Sequence, residues 1–221
     1  MKNTTITHRL SALFLSLVML LLSPCVAAAE NFGDMSRFKD VLPGQWYYAA
    51  IEYVVEHGYF NGVSRDTFDP GAPTTRAMFV TALGRMAGAD PSAYPASGFV
   101  DVPEDSYYSG YVAWAVEIGI VQGVSDSLFG SDENITREQI AVFLYRYAKH
   151  IGLDVSVGQT AQPHTFGGEE IVSPWAMTAM VWANSRGIMK GTGNGMEPQA
   201  QATRAQVAQM LYSFAHLIGN T

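Results

Sequence analysis

Thr136-Arg137-Glu138-Gln139 is the stretch of sequence that decides the fold, because the chain repeats it twice. Thr75-Arg76-Ala77-Met78 stands 61 residues earlier, and Thr203-Arg204-Ala205-Gln206 stands 67 residues later. Behind each Thr-Arg pair, apolar residues follow at intervals of three or four, which is the spacing of one helix face. The motif therefore predicts three helices that begin in the same way.

The threonine of each motif is a good helix N-cap. Gln139 and Gln206 stand three residues after their threonines, so the second and third copies predict a complete capping box. Met78 holds that position in the first copy and cannot close the box. We therefore expect three capped helices, two of them with a reciprocal cap.

The cap does not explain the arginine that follows each threonine. A cation in the first turn faces the positive end of the helix dipole, at a cost of about 0.3–1 kcal/mol. Three repetitions of an unfavourable choice suggest a use, and a helix N-terminus with an arginine is suited to hold an anion. The alternative is that these arginines pair with acidic loops where neighbouring units meet.

Residues 1–29 have the three regions of a secretory signal peptide: basic Lys2 and Arg9, an apolar run, and Ala27-Ala28-Ala29 before the cleavage point. Cys25 is the only cysteine, and it leaves with this segment, so no disulfide or thiol chemistry is expected afterwards. An alternative is a bacterial lipoprotein signal at Leu22-Ser23-Pro24-Cys25, although Pro24 stands where such signals have a small residue. In either case the protein is expected outside the cytoplasm.

Removal of residues 1–29 leaves 11 basic and 20 acidic side chains, which is a net charge of −9. This balance argues against nucleic acid, which requires a basic surface, and against a polybasic contact with anionic lipid. No membrane span is expected after the signal peptide. An anionic ligand would have to be held by local groups against a repulsive overall field.

The chain divides into a leader and three repeats, with the predicted boundaries 1–29, 34–97, 98–160 and 161–221. In each repeat a first helix is predicted over about residues 46–57, 107–118 or 175–186, before the Thr-Arg helix. A glycine in the left-handed conformation is expected to end each first helix, at Gly58, Gly119 and Gly187. Two such helices bury too little surface to stand alone. The expected fold is all-α, with three helix-loop-helix repeats packed as a pseudo-threefold bundle.

The ordered pattern of Phe-x-Asp-Val at Phe38 and Phe99, an aromatic that opens the first helix, Gly-x-x-x-Gly and Thr-Arg-Ala-x resembles the S-layer homology domain of bacterial surface proteins. The resemblance covers essentially all of the chain after residue 29. It implies a spindle-like pseudo-trimer that anchors a protein to the cell wall. The implied ligand is a secondary wall polysaccharide, often bound through pyruvate ketal groups, with peptidoglycan as an alternative.

The resemblance also implies that the motif arginines reach into grooves between neighbouring units, where free N–H groups of the helix start would join them in binding a carboxylate or ketal. The candidate ligand-binding residues are Arg76, Arg137, Arg204, Thr75, Thr136, Thr203, Gly62, Gly123, Gly191, Trp46, Tyr107 and Trp175. Three departures bear on this expectation. Met78, Gln139 and Gln206 replace the motif's glutamate, Glu138 replaces an alanine and is expected to weaken its site, and the third repeat has only Phe166 of its Phe-x-Asp-Val.

Several of these residues also have a purely structural interpretation. Trp46, Tyr107 and Trp175 either stack on sugar rings or pack the first helix against the core, and the second interpretation is slightly favoured. Gly62, Gly123 and Gly191 either admit a ligand to the backbone or form a tight turn. Tyr53, Trp114 and Trp182 align with one another and are expected in the core between units.

An enzyme is the alternative from another class. His57, His150, His164 and His216 lack metal-ligand spacing, and Glu169-Glu170 is expected to be a solvated pair. No catalytic residue, metal site or cofactor is therefore predicted. Most proteins of the resembled family carry a second domain, and no residues remain for one here, so we expect an anchor module alone. A structural module that associates with itself or with another surface protein is the third alternative.

Overall fold

Three helix-loop-helix pairs make up the described part of the chain, which in this computed structural model is residues 35–157 and 171–219. The helices are α1 (Tyr48–Glu56), α2 (Arg76–Met86), α3 (Ser109–Glu117), α4 (Arg137–His150), α5 (Met177–Ser185) and α6 (Arg204–Ile218). Short 3-10 helices cover Met35–Arg37 and Pro91–Ala93. These described segments contain isolated β-bridges but no strand, so the all-α expectation is confirmed. The leader with Cys25, and also His164, Phe166 and Glu169-Glu170, lie outside the described residues.

The second helix of each pair begins at the arginine of its Thr-Arg motif. The Thr136 hydroxyl accepts a hydrogen bond from the Gln139 N–H at 3.3 Å, and the Gln139 side chain accepts one from the Thr136 N–H at 3.1 Å. Thr203 and Gln206 form the same box, whereas Thr75 accepts only from the Met78 N–H. The predicted difference between the three caps is confirmed.

The first helix of each pair starts two residues later than predicted, after Trp46, Tyr107 and Trp175. No side chain caps these helices at their start, and the aromatic residues lie in the turn that leads into them. The predicted ends are confirmed, with left-handed φ values at Gly58 (68°), Gly119 (74°) and Gly187 (71°).

The helices pack across repeats. α3 packs against α2, α5 against α4, and α1 against α6, so each first helix lies on the second helix of the preceding repeat. Because α1 and α6 come from opposite ends of the described chain, this pairing closes the three repeats into a ring.

A cycle of backbone hydrogen bonds marks the pseudo-threefold axis. The Ile135 N–H donates to the Thr74 carbonyl at 2.9 Å, the Ala202 N–H donates to the Ile135 carbonyl at 2.9 Å, and the Thr74 N–H donates to the Ala202 carbonyl at 3.0 Å. All three residues are fully buried and stand two positions before a motif arginine. The second helices therefore leave the axis in equivalent directions.

Aromatic side chains join the helices in the core. Phe79 of α2 contacts Phe143 of α4 with ring centroids 6.1 Å apart, and Tyr147 of α4 contacts Phe214 of α6 at 6.0 Å. Trp114 and Trp182 are 5% and 0% exposed, as expected for core residues between repeats. The half-buried Tyr53 of α1 contacts Tyr212 of α6. In the described residues, no helix has the length and apolar character that a membrane crossing requires.

Candidate functional site

The motif arginine of each repeat reaches the Gly-containing loop of another repeat. Arg76 donates from Nε to the Phe129 carbonyl and from Nη2 to the Gln122 carbonyl, both at 3.0 Å. The equivalent bonds run from Arg137 Nε to Met196 O (2.7 Å) and Nη2 to Lys190 O (2.7 Å), and from Arg204 Nε to Phe68 O (2.7 Å) and Nη2 to Asn61 O (2.5 Å). We call each such pair of bonds an arginine clasp. The clasps run from repeat 1 to repeat 2, from 2 to 3, and from 3 back to 1.

The N–H groups at the start of each second helix are also occupied by a neighbouring repeat. The Arg76 N–H donates to the Glu133 carbonyl at 2.9 Å and the Ala77 N–H to the Ser131 carbonyl at 3.2 Å, while Met78 donates to the cap. The same bonds join Arg137 to Ala200, Glu138 to Pro198, Arg204 to Ala72 and Ala205 to Pro70. The expectation that free helix N–H groups would bind an anion is therefore wrong, because the ring closure uses them.

The arginine side chains are buried cations. Arg76, Arg137 and Arg204 are 3%, 2% and 3% exposed. Burial lowers the pKa of Arg76 and lowers that of Arg204 to about 10, although the nearby carboxylates of Asp69 and Asp40 oppose the change at Arg204. A pKa of about 10 leaves Arg204 charged at neutral pH, and guanidinium groups in general stay protonated in proteins. Within the described ranges, neither Arg76 nor Arg204 forms an ion pair with a carboxylate, so the alternative of pairing with acidic side chains is not what these two residues do.

A cavity of about 580 Å³ lies where the three repeats meet beside Arg137. Trp46 of repeat 1 and Arg137 of repeat 2 line it together with the loop from Gly187 to Thr192, which includes Lys190 and Gly191. The rest of the lining comes from α6, through Gln206, Gln209, Met210 and Ser213. The volume falls within the range of about 300–1,000 Å³ that is typical of ligand sites. Three of the residues predicted from sequence, Trp46, Arg137 and Gly191, are thus brought together.

The lining of this cavity is positively charged. It includes the cations of Arg137 and Lys190 and, among the described residues that form it, no carboxylate. Glu138 follows Arg137 in sequence but is only 4% exposed, and its two carboxylate oxygens accept from the Ser173 N–H at 3.0 Å and from the Ser173 hydroxyl at 2.8 Å. On a protein with a negative net charge, this is a local concentration of positive charge.

The aromatic residues before the first helices are exposed. Trp46, Tyr107 and Trp175 have 62%, 60% and 59% of their surface accessible. The slightly favoured interpretation that they pack the first helix against the core is therefore wrong. Tyr107 lies near the cations of Arg85 and Arg204. The pKa of Tyr107 is raised above its usual value, because burial and Tyr108 outweigh these two opposing charges. Exposed aromatic faces beside an arginine are available to a ligand.

The second glycine of each loop is explained by the loop itself. A Cβ atom at Gly62 would lie 2.7 Å from the Thr67 carbonyl oxygen, and one at Gly123 would lie 2.6 Å from Phe99 Cε1. A Cβ atom at Gly191 would come within 2.9 Å of the Gly195 carbonyl oxygen, and Gly191 also lines the cavity. The tight-turn interpretation accounts for all three glycines. The same turns present the carbonyl groups that the arginines bind.

The threonines of the motif serve as caps, and the aspartates of Phe-x-Asp-Val support the same loops. Asp40 accepts from the Phe68 N–H at 3.0 Å, and Asp101 accepts from the N–H groups of Phe129, Gly130 and Ser131 at 2.7–3.0 Å. Burial alone would raise the pKa of Asp101, but these three donors outweigh it and hold the pKa below its usual value. Each aspartate thus fixes a loop whose carbonyl receives an arginine from another repeat.

Among the lining residues that were not predicted from the sequence are Lys190, Gln206, Gln209 and Ser213. The three on α6 stand at intervals of three and four, so they share one helix face, and this spacing was the available signal. Lys190 had no such signal, because only the arginine clasp places its loop in the groove. Within the described residues, no group of three or more His, Cys, Asp or Glu side chains is arranged to hold a metal ion.

Comparison with known proteins gives a match to the family model of the S-layer homology domain at residues 37–78, 98–141 and 170–208. An endoglucanase of Bacillus sp. (strain KSM-635) is 30% identical over 217 residues, which are 96% of this chain and 22% of that protein. An amylopullulanase of Thermoanaerobacterium thermosulfurigenes is 26% identical over 88% of this chain and 10% of its own length. The S-layer protein sap of Bacillus anthracis is 28% identical over 86% of this chain and 22% of its own length.

The chain thus spans less than a quarter of the length of these curated relatives. Each of the three matched segments contains a Thr-Arg motif and lies inside one of the predicted repeats. By its ring of three capped, clasped repeats and by these matches, the chain belongs to the S-layer homology domain family and carries three tandem repeats of it.

Proposed function

We propose that this protein is a non-catalytic module that attaches to the bacterial cell surface by binding an anionic wall glycan. The observation that carries the proposal is the cavity beside Arg137, in which two cations, an exposed indole and three uncharged polar side chains of α6 meet. These are the groups that a carboxylated sugar requires: cations for the acid, amides and a hydroxyl for the sugar hydroxyls, and an aromatic face for the ring.

The family membership supports the coarser part of this proposal, association with the cell surface. S-layer proteins are among the relatives, including the S-layer protein sap of Bacillus anthracis and a surface-layer 125 kDa protein of Lysinibacillus sphaericus. The endoglucanase and the amylopullulanase are named as two different enzymes, and each matches this chain over only a minor part of its own length. A segment common to an endoglucanase, an amylopullulanase and S-layer proteins favours attachment rather than catalysis.

In the proposed mechanism, Arg137 is held in place by its clasp before the ligand arrives. Its two bonds to loop carbonyls fix the guanidinium at the base of the cavity, so little side-chain freedom is lost on binding. A carboxylate or pyruvate ketal supplies the negative charge, and the exposed Lys190 contributes a second cation at the rim. Trp46 covers the apolar face of the sugar, and Gln206, Gln209 and Ser213 bond its hydroxyls.

The proposal is tested by sedimentation of residues 30–221 with purified bacterial cell-wall sacculi. Binding is measured for intact sacculi and for sacculi from which acid has removed the secondary polymer. The wild type is compared with a triple variant that carries Trp46→Ala, Tyr107→Ala and Trp175→Ala. All three side chains are exposed, so their loss should leave the fold intact. The expected result is sedimentation that requires both the polymer and the aromatics.

Two other outcomes would change the proposed ligand or the proposed function. Equal sedimentation with stripped sacculi would make peptidoglycan the ligand. Failure of the wild-type protein to sediment with either preparation would contradict wall binding. A module that associates with itself or with a surface protein would then be examined by analytical ultracentrifugation.

A further inference from the structure

The three grooves of the ring differ at one equivalent helix position. We name each groove by its motif arginine: the Arg137 groove is the cavity described above. The Arg204 groove is formed by Tyr107, the loop 58–63 and α2, and the Arg76 groove by Trp175, the loop 119–124 and α4, as the repeat alignment requires. Nine residues after the motif arginine, the groove-forming helix carries Ser213, Arg85 or Arg146.

In the Arg76 groove, the arginine at this position spans the groove. Arg146 donates from Nη1 to the Ile120 carbonyl at 3.2 Å, which connects α4 to the loop. The equivalent pair in the Arg137 groove is Ser213 and Ile188, and both of these residues line the open cavity. The space that the Arg146 side chain crosses in one groove is therefore open in the other.

A bulkier neighbour adds to this difference. Phe143 stands on α4 where Met210 stands on α6, and its ring lies over the guanidinium of Arg76 at 5.4 Å. In the Arg204 groove, the half-buried Arg85 stands at the position of Ser213, and Ala82 stands at that of Met210. The Arg76 groove thus holds a cation and a ring where the Arg137 groove has a hydroxyl and a thioether, and the Arg204 groove holds a cation in place of the hydroxyl alone.

The Arg137 groove has Ser213 instead of an arginine on its helix, but it has a lysine, Lys190, on its loop. Lys190 stands at the loop position that Asn61 and Gln122 occupy in the other grooves. Each groove therefore keeps a second cation beside its clasp arginine, but in the Arg137 groove this cation is exposed on the loop rather than placed across the middle.

From these contacts we infer that the Arg137 groove is the principal site for an anionic saccharide, and that Arg146 keeps the Arg76 groove closed to it, with Arg85 at the equivalent position of the Arg204 groove. The identity of the ligand rests on the proposed function. The open space depends on Ser213, and attraction of the anion depends on Lys190 as well as on the clasped Arg137. One principal site follows, rather than three equal ones.

The decisive variants are Ser213→Arg, which reproduces the arginine of the two related grooves, and Lys190→Gln, which removes the second cation. The Lys190 change leaves the clasp intact, because Arg137 bonds the backbone carbonyl of that residue. Matched controls are Ser213→Ala, which keeps the space, and Lys149→Gln, which removes an exposed lysine of α4 that does not line the cavity. Circular dichroism and the thermal midpoint verify that each variant is folded.

Binding of residues 30–221 to intact sacculi is measured by sedimentation over a range of protein concentrations. Lys190→Gln is expected to weaken binding by about tenfold, which is the scale of losing one charged contact. Ser213→Arg fills the open space, so it is expected to weaken binding by at least about tenfold. Lys149→Gln should bind within about twofold of the wild type, which is inside the context-dependent spread of single contacts. Ser213→Ala keeps the space but loses the hydroxyl contact, so it should bind more weakly than the wild type and more tightly than Ser213→Arg. Arg146→Ser, which opens the Arg76 groove, should raise the amount of protein bound at saturation.

The outcomes separate this inference from the proposed function. If the wild type sediments with intact sacculi and folded Ser213→Arg sediments equally well, the assignment of the Arg137 groove is overturned while wall binding stands. If the wild type does not sediment at all, the proposed function fails and the inference fails with it.

Discussion

Arg204 donates from Nε to the carbonyl oxygen of Phe68 at 2.7 Å, across 136 positions of the chain. This bond, with its partner to Asn61, joins the last repeat to the first. The guanidinium also lies over the Phe68 ring at 4.5 Å, so the cation is held by carbonyl dipoles and an aromatic face rather than by a carboxylate. The same residue that was expected to bind a ligand is therefore also the residue that closes the ring.

The first prediction concerns this closure. Arg204→Ala should lower the free energy of unfolding by about 3 kcal/mol, because it removes two charge-assisted hydrogen bonds and leaves buried carbonyl groups without donors. Arg204→Lys should recover less than half of the loss, since one ammonium cannot reproduce the geometry of the two guanidinium donors. Urea unfolding followed by circular dichroism measures both variants. Arg65→Ala, at an exposed loop position, is the control, and an equal effect there would contradict the clasp.

The second prediction concerns acid stability. The pKa of Asp101 is lower in the folded protein than in the unfolded chain, so its contribution is complete above pH 4 and is lost as pH falls through the folded pKa. Below about pH 4, the free energy of unfolding of the wild type should therefore fall more steeply than that of Asp101→Asn. Denaturant titrations at several pH values measure this slope. The exposed Asp132→Asn should keep the wild-type slope, and a parallel curve for Asp101→Asn would refute the assignment.

The third prediction concerns Glu138, which stands where the other repeats have alanine. Restoring the alanine would be expected to stabilise a repeat protein on sequence grounds. The structure predicts the opposite, because Glu138→Ala removes both hydrogen bonds to Ser173 of the next repeat, at a cost of about 2 kcal/mol. A double-mutant cycle with Ser173→Ala measures the coupling by chemical denaturation. Strictly additive effects would show that the pair does not join repeats 2 and 3.

The fourth prediction concerns the loops that receive the arginines. Gly123→Ala should destabilise the protein by about 2–4 kcal/mol, because the added Cβ would collide with the carbonyl oxygens of Ser125 and Leu128. Gly71→Ala is the matched control, since nothing lies within 4 Å of a Cβ atom there. Thermal unfolding of the two variants provides the comparison. Equal midpoints would mean that the loop can relax around the methyl group.

The candidate site was only partly predictable from the sequence. The arginines, Trp46 and Gly191 were found because they recur at fixed positions in three repeats. Ser213 and Lys190 were missed because each differs from the residues at the equivalent positions of the other repeats. The effect of such a difference can be judged only when the spatial neighbours of the residue are known. The use of helix N–H groups was predicted wrongly, because their acceptors lie in another repeat, 54–135 residues away.

By itself the sequence determined most of the local structure: the number of repeats, the starts of the second helices, the two complete capping boxes and the glycines that end the first helices. These features depend on interactions within about four residues, such as the bond from Gln139 to Thr136. Only the tertiary structure decided which loop each arginine binds, how α1 meets α6, and which groove is open. Those outcomes depend on side chains from two or three repeats at once, such as Trp46, Arg137 and Ser213, whose separation in sequence carries no information about their proximity.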